Sequence, residues 1–138
     1  MKKISYDAID TAIMFVSVEP FFTSQALISK HTGEIFYASE FGDSEGLPDD
    51  FENEKKYIDV PHEKELGLGQ PLVFDFVSEY IPDHEDTIHR IFRGPGAYSR
   101  YKEFLDDKGL LDKWYEFENR ERKEAIMEWC HENGIEPI

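Results

Sequence analysis

The sequence has little of what marks secreted or membrane-spanning proteins. It contains one cysteine, Cys130, so no disulfide can form within the chain, and we expect a reducing compartment. No apolar run approaches the roughly 20 residues that a membrane-spanning helix needs. Asp7 and Asp10 interrupt the short apolar stretch near the start of the chain, which is therefore not expected to be a signal peptide. These absences predict a cytoplasmic protein with no membrane partner.

Basic residues are scarce as well. The 138 residues contain 15 Lys and Arg against 30 Asp and Glu, which gives a formal net charge of -15 at pH 7. Such a charge opposes binding of the whole surface to DNA or to an anionic membrane. We therefore predict that nucleic acid is not the main partner, and we keep a weak interaction with RNA as an alternative.

Signatures of catalysis and of metal binding are missing too. No Gly-x-Ser-x-Gly, P-loop or dinucleotide-binding pattern occurs. His84 and His89 are five residues apart, a spacing that splays them on a helix instead of placing both on one face. Cys130 follows Ile126 and Trp129 on the expected buried stripe of the last helix, where a thiol acts as a small hydrophobe. We predict no catalytic residue, no cofactor and no metal, with an enzyme of unrecognised site as an alternative.

Apolar and aromatic residues, by contrast, are plentiful. Hydrophobic residues make up 40% of the chain and aromatic residues 14%, which is enough for a core that needs no disulfide or metal. The length favours one domain over two. We therefore predict a single domain over residues 1–138.

The first half of the chain carries signals for one helix and three strands. Ser5 can cap a helix in which Ile4 and Ile9 form a hydrophobic staple, and Pro20 should end it. Gly33 lies in the loop of a predicted hairpin. The predicted strands span 24–29, 34–39 and 56–60, and the acidic stretch 40–54 is expected to be a solvated loop. We expect the sheet to be confined to about the first 61 residues.

The second half of the chain is predicted to be helical from Gln70 onward. Pro71 suits a first helical position, Pro82 separates two helices, and Gly134 suits a C-cap. The predicted helices span about 72–81, 83–92, 97–107 and 111–133. The expected fold is therefore α+β: a small antiparallel sheet, made of the hairpin and a third strand, follows an N-terminal helix and packs against a C-terminal helical half of about four helices.

Residues 89–102 form a basic island in this acidic chain. The fourteen-residue stretch HRIFRGPGAYSRYK contains no acid and four bases: Arg90, Arg93, Arg100 and Lys102. It includes Gly94-Pro95-Gly96, which permits a tight turn, followed by the start of a predicted helix whose free amides favour anions. The candidate anion- or partner-binding residues are Arg93, Gly94, Gly96, Tyr98, Arg100, Tyr101 and Lys102. The alternative is that these bases pair with surface acids, an arrangement that contributes little energy.

The same stretch resembles the bacterial Uncharacterised Protein Family 0158. Gly94, Gly96, Ala97, Tyr98, Arg100, Tyr101 and Lys102 match its Gly-x-Gly-Ala-aromatic-x-Arg-aromatic-Lys signature, and Leu111, Trp114, Tyr115 and Phe117 match its Trp-Tyr helix. Pro95 departs from the pattern, since members usually carry a base between the glycines. The family brings no established activity, so the resemblance implies a fold more than a function.

These observations predict a non-enzymatic interaction module. Its working surface is the turn and helix of residues 93–102, which would bind an unknown partner protein or a small phosphate-like anion. Exposed Tyr beside Arg is also how single-stranded nucleic acids are bound, so the RNA alternative uses the same residues.

Overall fold

The computed structural model describes residues 2–17, 24–39 and 47–138, and within them the fold is α+β, as predicted. Two 3-10 turns span Glu63–Leu66 and Pro82–His84. In chain order the elements are β1 (Lys2–Ile4), α1 (Tyr6–Val16), β2 (Ser24–Ser29), β3 (Ile35–Ser39), β4 (Tyr57–Asp59), α2 (Gln70–Tyr80), α3 (Glu85–Ile91), α4 (Ala97–Asp107), α5 (Leu111–Glu132) and β5 (Ile135–Pro137). No helix among the described residues is long and apolar enough to cross a membrane.

The first helix begins where its sequence signals place it. The Ser5 side chain accepts a hydrogen bond from the Ala8 amide at 3.4 Å, which satisfies one of the free donors of the first turn. Ile4 and Ile9 are both buried, as a hydrophobic staple requires. The helix ends at Val16, and Pro20, which was expected to end it, lies outside the described residues.

A three-stranded antiparallel sheet has the order β3-β2-β4. Strands β2 and β3 form the predicted hairpin, with Ile28 opposite Ile35 and Gly33 at a φ of +79° in the turn. Strand β4 pairs with the other edge of β2, with Ser29 opposite Tyr57. Part of the predicted acidic loop, residues 40–46, lies outside the described residues, and 47–54 form turns that lead into β4.

The three-stranded sheet lies within the first 61 residues, as predicted, but a second, two-stranded sheet was not predicted. Strand β1 pairs in parallel with β5, with Lys2 opposite Ile135 and Ile4 opposite Pro137. Each strand has only three residues, which is too short for an alternating pattern to stand out in the sequence. The pairing is stabilised by burial of Ile4 and Ile135 in the apolar core.

The chain divides into two compact units, one made of residues 1–66 and 125–138 and the other of 67–124. The first unit has a core of aliphatic side chains from β1, α1, β2, β5 and the end of α5, which includes the buried Cys130. In the second unit, aromatic rings form the core: Phe76 and Tyr101 each lie edge-on to Trp114, with centroids 5.4 and 5.1 Å apart. The single-domain expectation concerns cooperative unfolding and stays a prediction.

Candidate anion-binding site

The turn between α3 and α4 presents the basic island. Helix α3 closes with hydrogen bonds from the Arg93 amide to the Arg90 carbonyl and from the Gly94 amide to the Ile91 carbonyl, both 3.2 Å. Gly96 then adopts a left-handed conformation, φ +65° and ψ +31°, and serves as the N-cap of α4. Only glycine takes this conformation without steric cost. The sequence prediction of a tight turn followed by a helix over 97–107 is confirmed.

The Phe92 ring packs against aromatic side chains on both sides of this turn. Its ring lies edge-on to Tyr98 at 5.2 Å and close to Tyr101 at 5.7 Å, and it also contacts Phe74 at 5.8 Å. Edge-to-face pairs of this kind add about 0.5–1.5 kcal/mol each beyond area burial. Phe92 therefore connects the turn to helices α2 and α4, so ring packing holds the backbone of the turn.

The first turn of α4 has no cap from its own sequence. Gly96 carries no side chain, and the first intrahelical hydrogen bond runs from the Arg100 amide to the Gly96 carbonyl at 3.1 Å. No acidic residue lies in the first turn, although acids are the commonest neutralisers of a helix N-terminus. The amides of the first turn point along the helix axis, away from its body. This end of α4 is thus positive and free of acidic side chains of its own.

The side chain of Arg100 folds back over the turn. Its Nη1 lies 3.4 Å from where a Cβ on Gly94 would stand. Arg93 and Arg100 are both exposed, so both guanidinium groups are available to a ligand in solution. A guanidinium can grip two oxygens of a phosphate or carboxylate at once. The Arg100 guanidinium therefore lies near the backbone of Gly94, close to the start of α4.

The bases of the island do not pair with acids in the described part of the chain. Lys102 lies over the ring of Tyr115, with Nζ 5.7 Å from the centroid. The Nη2 of Arg90 donates to Thr87 Oγ1 at 3.4 Å, a neutral acceptor. No ion pair joins Arg93 or Arg100 to a carboxylate among residues 2–17, 24–39 and 47–138. Within those residues, no carboxylate occupies either of the two arginines.

Tyr101 must be removed from the predicted binding surface. It is fully buried against Phe92 and Trp114, because the apolar stripe of α4 contains it together with Leu105. Burial raises the pKa of its phenol, and the charge of Glu118 and the neighbouring Tyr98 add to the effect. Tyr98, three residues earlier, is 43% exposed and stays on the candidate surface.

Sequence reasoning missed the structural role of Phe92 and the contact between Lys102 and Tyr115. The signal for Phe92 was present, since it is an aromatic residue directly before a basic turn. The partner of Lys102 could not be found from spacing, because it requires the packing of α4 against α5 within the second unit. The structure therefore brings Arg93, Gly94, Gly96, Tyr98 and Arg100 to one turn.

The described residues also bear on two other kinds of site, a metal site and a cysteine nucleophile. No group of three or more His, Cys, Asp or Glu side chains there is arranged to hold a metal ion. Cys130 is buried, as its position on the last helix predicted, and burial raises the pKa of its thiol to about 11. A thiol of that pKa is protonated at neutral pH and is a poor nucleophile.

Comparison with known proteins bears on the family of this chain. The model of an uncharacterised protein family, UPF0158, matches residues 24–138. No curated protein and no solved structure gives a match. The matched segment begins with the first residue of the hairpin and includes the α3–α4 turn and the whole of α5. Since the match covers well over half of the sequence, the chain belongs to the uncharacterised protein family UPF0158.

Proposed function

We propose that this protein is a non-enzymatic interaction module that binds an anionic group through the turn and helix of residues 93–102. The group is a phosphate or carboxylate, carried by a small ligand or by a partner protein in the bacterial cytoplasm. The observation that carries the proposal is the state of the bases. Arg93 precedes an uncapped helix N-terminus in the chain, Arg100 lies just after it, and neither pairs with an acid of the described chain.

The local field at this turn opposes the field of the whole molecule. The net charge of -15 repels an approaching anion, but at about 0.15 M salt the reach of exposed charges falls to roughly 8 Å. Within that distance, the island presents bases and helix amides. An anion therefore meets attraction close to the turn once salt has screened the distant acids.

The turn also lowers the cost of binding. Phe92 fixes its backbone and Gly96 sets the direction of α4, so these donors lose little further freedom when a ligand binds. Arg93 and Arg100 contribute bidentate donors, whereas Lys102 contributes a point charge that the Tyr115 ring holds near the surface. We expect the two arginines to contribute most of the affinity.

The test compares phosphate with chloride at equal ionic strength, with the free energy of unfolding as the readout. Phosphate should stabilise the wild type more than chloride does, by up to about 2.7 kcal/mol at a hundred times the dissociation constant and by less at partial saturation. Arg100→Ala should remove this increment and keep the chloride response. Arg120→Ala, an equal loss of charge on α5, should keep both.

Equal effects of phosphate and chloride on the wild type would contradict an anion site. An anion site would also be contradicted if Arg120→Ala removed the phosphate-specific stabilisation as fully as Arg100→Ala does. The stabilisation would then depend on net charge alone and not on the position of the arginine.

The RNA alternative draws on a separate feature of the same surface. Tyr98 and Tyr115 are 43% and 39% exposed, and exposed rings beside bases can stack on nucleotides. A single-stranded RNA that binds with a steep salt dependence, and loses binding in an Arg93/Arg100/Lys102 triple Ala variant, would favour it. A protein recovered from lysate after nuclease treatment, by the wild type and not by the triple variant, would favour the interaction module.

A further inference from the structure

A second group of bases lies at the end of the hairpin, in the first unit, whereas residues 93–102 belong to the second unit. Residues 30–32 and 55–57, with Ser29 behind them, line an open concavity of about 610 Å³. Three of these residues are lysines and one is His31, whereas none is an acid. In a chain with twice as many acids as bases, this composition is unusual for a surface depression.

The sheet brings the two segments together. Strand β4 pairs with β2, which places Tyr57 opposite Ser29, and the Lys30 amide extends the ladder with a 2.8 Å hydrogen bond to the Lys56 carbonyl. The turn beyond Lys30 is held by Ser29, whose Oγ accepts from the amides of His31 and Thr32 at 3.3 and 3.1 Å. The floor of the concavity is therefore ordered backbone and not a loose surface loop.

Its positive charge is only partly neutralised. Lys56 forms an ion pair with Asp50 at 2.7 Å. Lys30 donates its amine to the backbone carbonyl of Glu54 at 2.6 Å, an acceptor that carries no net charge. Lys55 makes no side-chain ion pair or hydrogen bond with any residue that the structure describes. Among the described residues, the ammonium groups of Lys30 and Lys55 thus have no paired carboxylate, and Thr32 lines the same concavity.

One wall of the concavity is a fixed aromatic ring. The Tyr57 hydroxyl donates to Asp50 Oδ1 at 2.8 Å, and its ring lies edge-on to Phe36 at 6.2 Å. The ring is half-buried, so part of it meets solvent. Aromatic rings held in this way stack on planar heterocycles, as they do in proteins that bind single-stranded nucleic acids.

We propose that this concavity binds a nucleoside monophosphate, with the phosphate at Lys30 and Lys55 and the base against Tyr57. The volume lies within the roughly 300–1,000 Å³ of small-molecule sites and exceeds the space that a bare phosphate ion needs. Lysine ammonium groups and a hydroxyl suit the phosphate, while the Tyr57 ring suits a planar base. The site is independent of residues 93–102 and does not rest on the function proposed for them.

The test is calorimetric titration of the full chain with each of the four common ribonucleoside 5′-monophosphates, with their nucleosides and with inorganic phosphate. At least one monophosphate should bind, and it should bind at least about tenfold more tightly than its nucleoside and than phosphate. Lys55→Gln keeps much of the side-chain stem but removes the charge, and should weaken that binding by about tenfold or more. Lys123→Gln, an exposed lysine that does not line the concavity, should leave it unchanged.

Two further variants locate the site and test the ring. Tyr57→Leu should bring the affinity of the monophosphate down toward that of phosphate, with far-ultraviolet circular dichroism used to confirm folding. The same titrations are repeated in an Arg100→Ala background, which lacks the phosphate site proposed for residues 93–102. The preference for the monophosphate over phosphate, and its loss in Lys55→Gln, should persist in that background, which separates the two proposals. Absence of binding by all four monophosphates, equal binding of phosphate and nucleotide, or an unchanged affinity in Lys55→Gln would each overturn the proposal.

Discussion

The conformation of Gly96 gives the sharpest prediction about the α3–α4 turn. Its φ of +65° and ψ of +31° lie in the left-handed region, where a residue with a Cβ pays roughly 1–2 kcal/mol. Apart from its chain neighbours and the backbone of its own helix, no atom of the described residues lies within 4 Å of the position that a Cβ would take, so the penalty comes from the backbone and not from a clash. Gly96→Ala should therefore lower the free energy of unfolding by about 1–2 kcal/mol.

Urea denaturation, followed by circular dichroism, measures this loss. Gly96→Asn should lose less than Gly96→Ala, because asparagine tolerates the left-handed region better than other residues with a side chain. Gly94→Ala is the matched control two residues earlier. Its φ is not left-handed, and the added Cβ would meet Arg100 Nη1 at 3.4 Å and the Ile91 carbonyl oxygen at 3.9 Å, which are ordinary contact distances. Its stability should stay within about 0.5 kcal/mol of the wild type or rise slightly.

The order of the free energies of unfolding of the three variants tests whether Gly96 is left-handed in solution. If Gly96→Ala is as stable as Gly94→Ala, the left-handed turn does not hold in solution, and the helix amides are not oriented as described. If Gly96→Asn is the least stable of the three, the cost is one of side-chain volume, and the backbone argument fails.

Three other predictions concern the cores and the charge. Tyr101→Phe should leave the free energy of unfolding in urea unchanged or raise it by up to about 1 kcal/mol, because the buried hydroxyl has no hydrogen-bond partner among the described residues. A decrease of more than about 1 kcal/mol would mean that the hydroxyl has a partner. The pKa of Cys130 is about 11 in the folded chain against an ordinary 9.0, so the thiol of the unfolded chain ionises first as the pH rises. The free energy of unfolding should therefore fall between about pH 9 and 11, by at most roughly 2.7 kcal/mol. Cys130→Ala should lose this part of the pH dependence, and an unchanged pH dependence in that variant would contradict the prediction. The net charge of -15 should make the melting temperature rise from very low ionic strength to about 0.15 M salt, and a flat or falling curve in calorimetry would mean that local ion pairs outweigh the repulsion.

Local signals in the sequence were sufficient for several elements of the fold. Three residues have a role that depends only on the backbone next to them: Ser5 caps α1, Gly33 has a positive φ in the hairpin loop, and Gly96 has a positive φ before α4. Each was predicted correctly, because a cap or a left-handed turn depends on a few adjacent residues. The same holds for the basic island as a continuous stretch of sequence, although its binding role stays a prediction.

Features that depend on distant pairing could not be predicted. The parallel pair of β1 and β5 joins residues more than 130 positions apart through strands of three residues each. The basic concavity combines Lys30 with Lys55 through the β2–β4 register, which no local pattern encodes. Tyr101 was misplaced for a related reason: the sequence shows that α4 has an apolar face, but packing decides which of its rings that face buries.

Binding of an anion at the turn between α3 and α4 can be observed residue by residue. The ¹⁵N-labelled protein is titrated with phosphate and, at equal ionic strength, with chloride, and the amide chemical shifts are followed. We expect saturable, phosphate-specific shifts at the amides of Gly96, Ala97 and Ser99, and their loss in Arg100→Ala. If these amides respond to phosphate as they respond to chloride, no anion site exists at this turn.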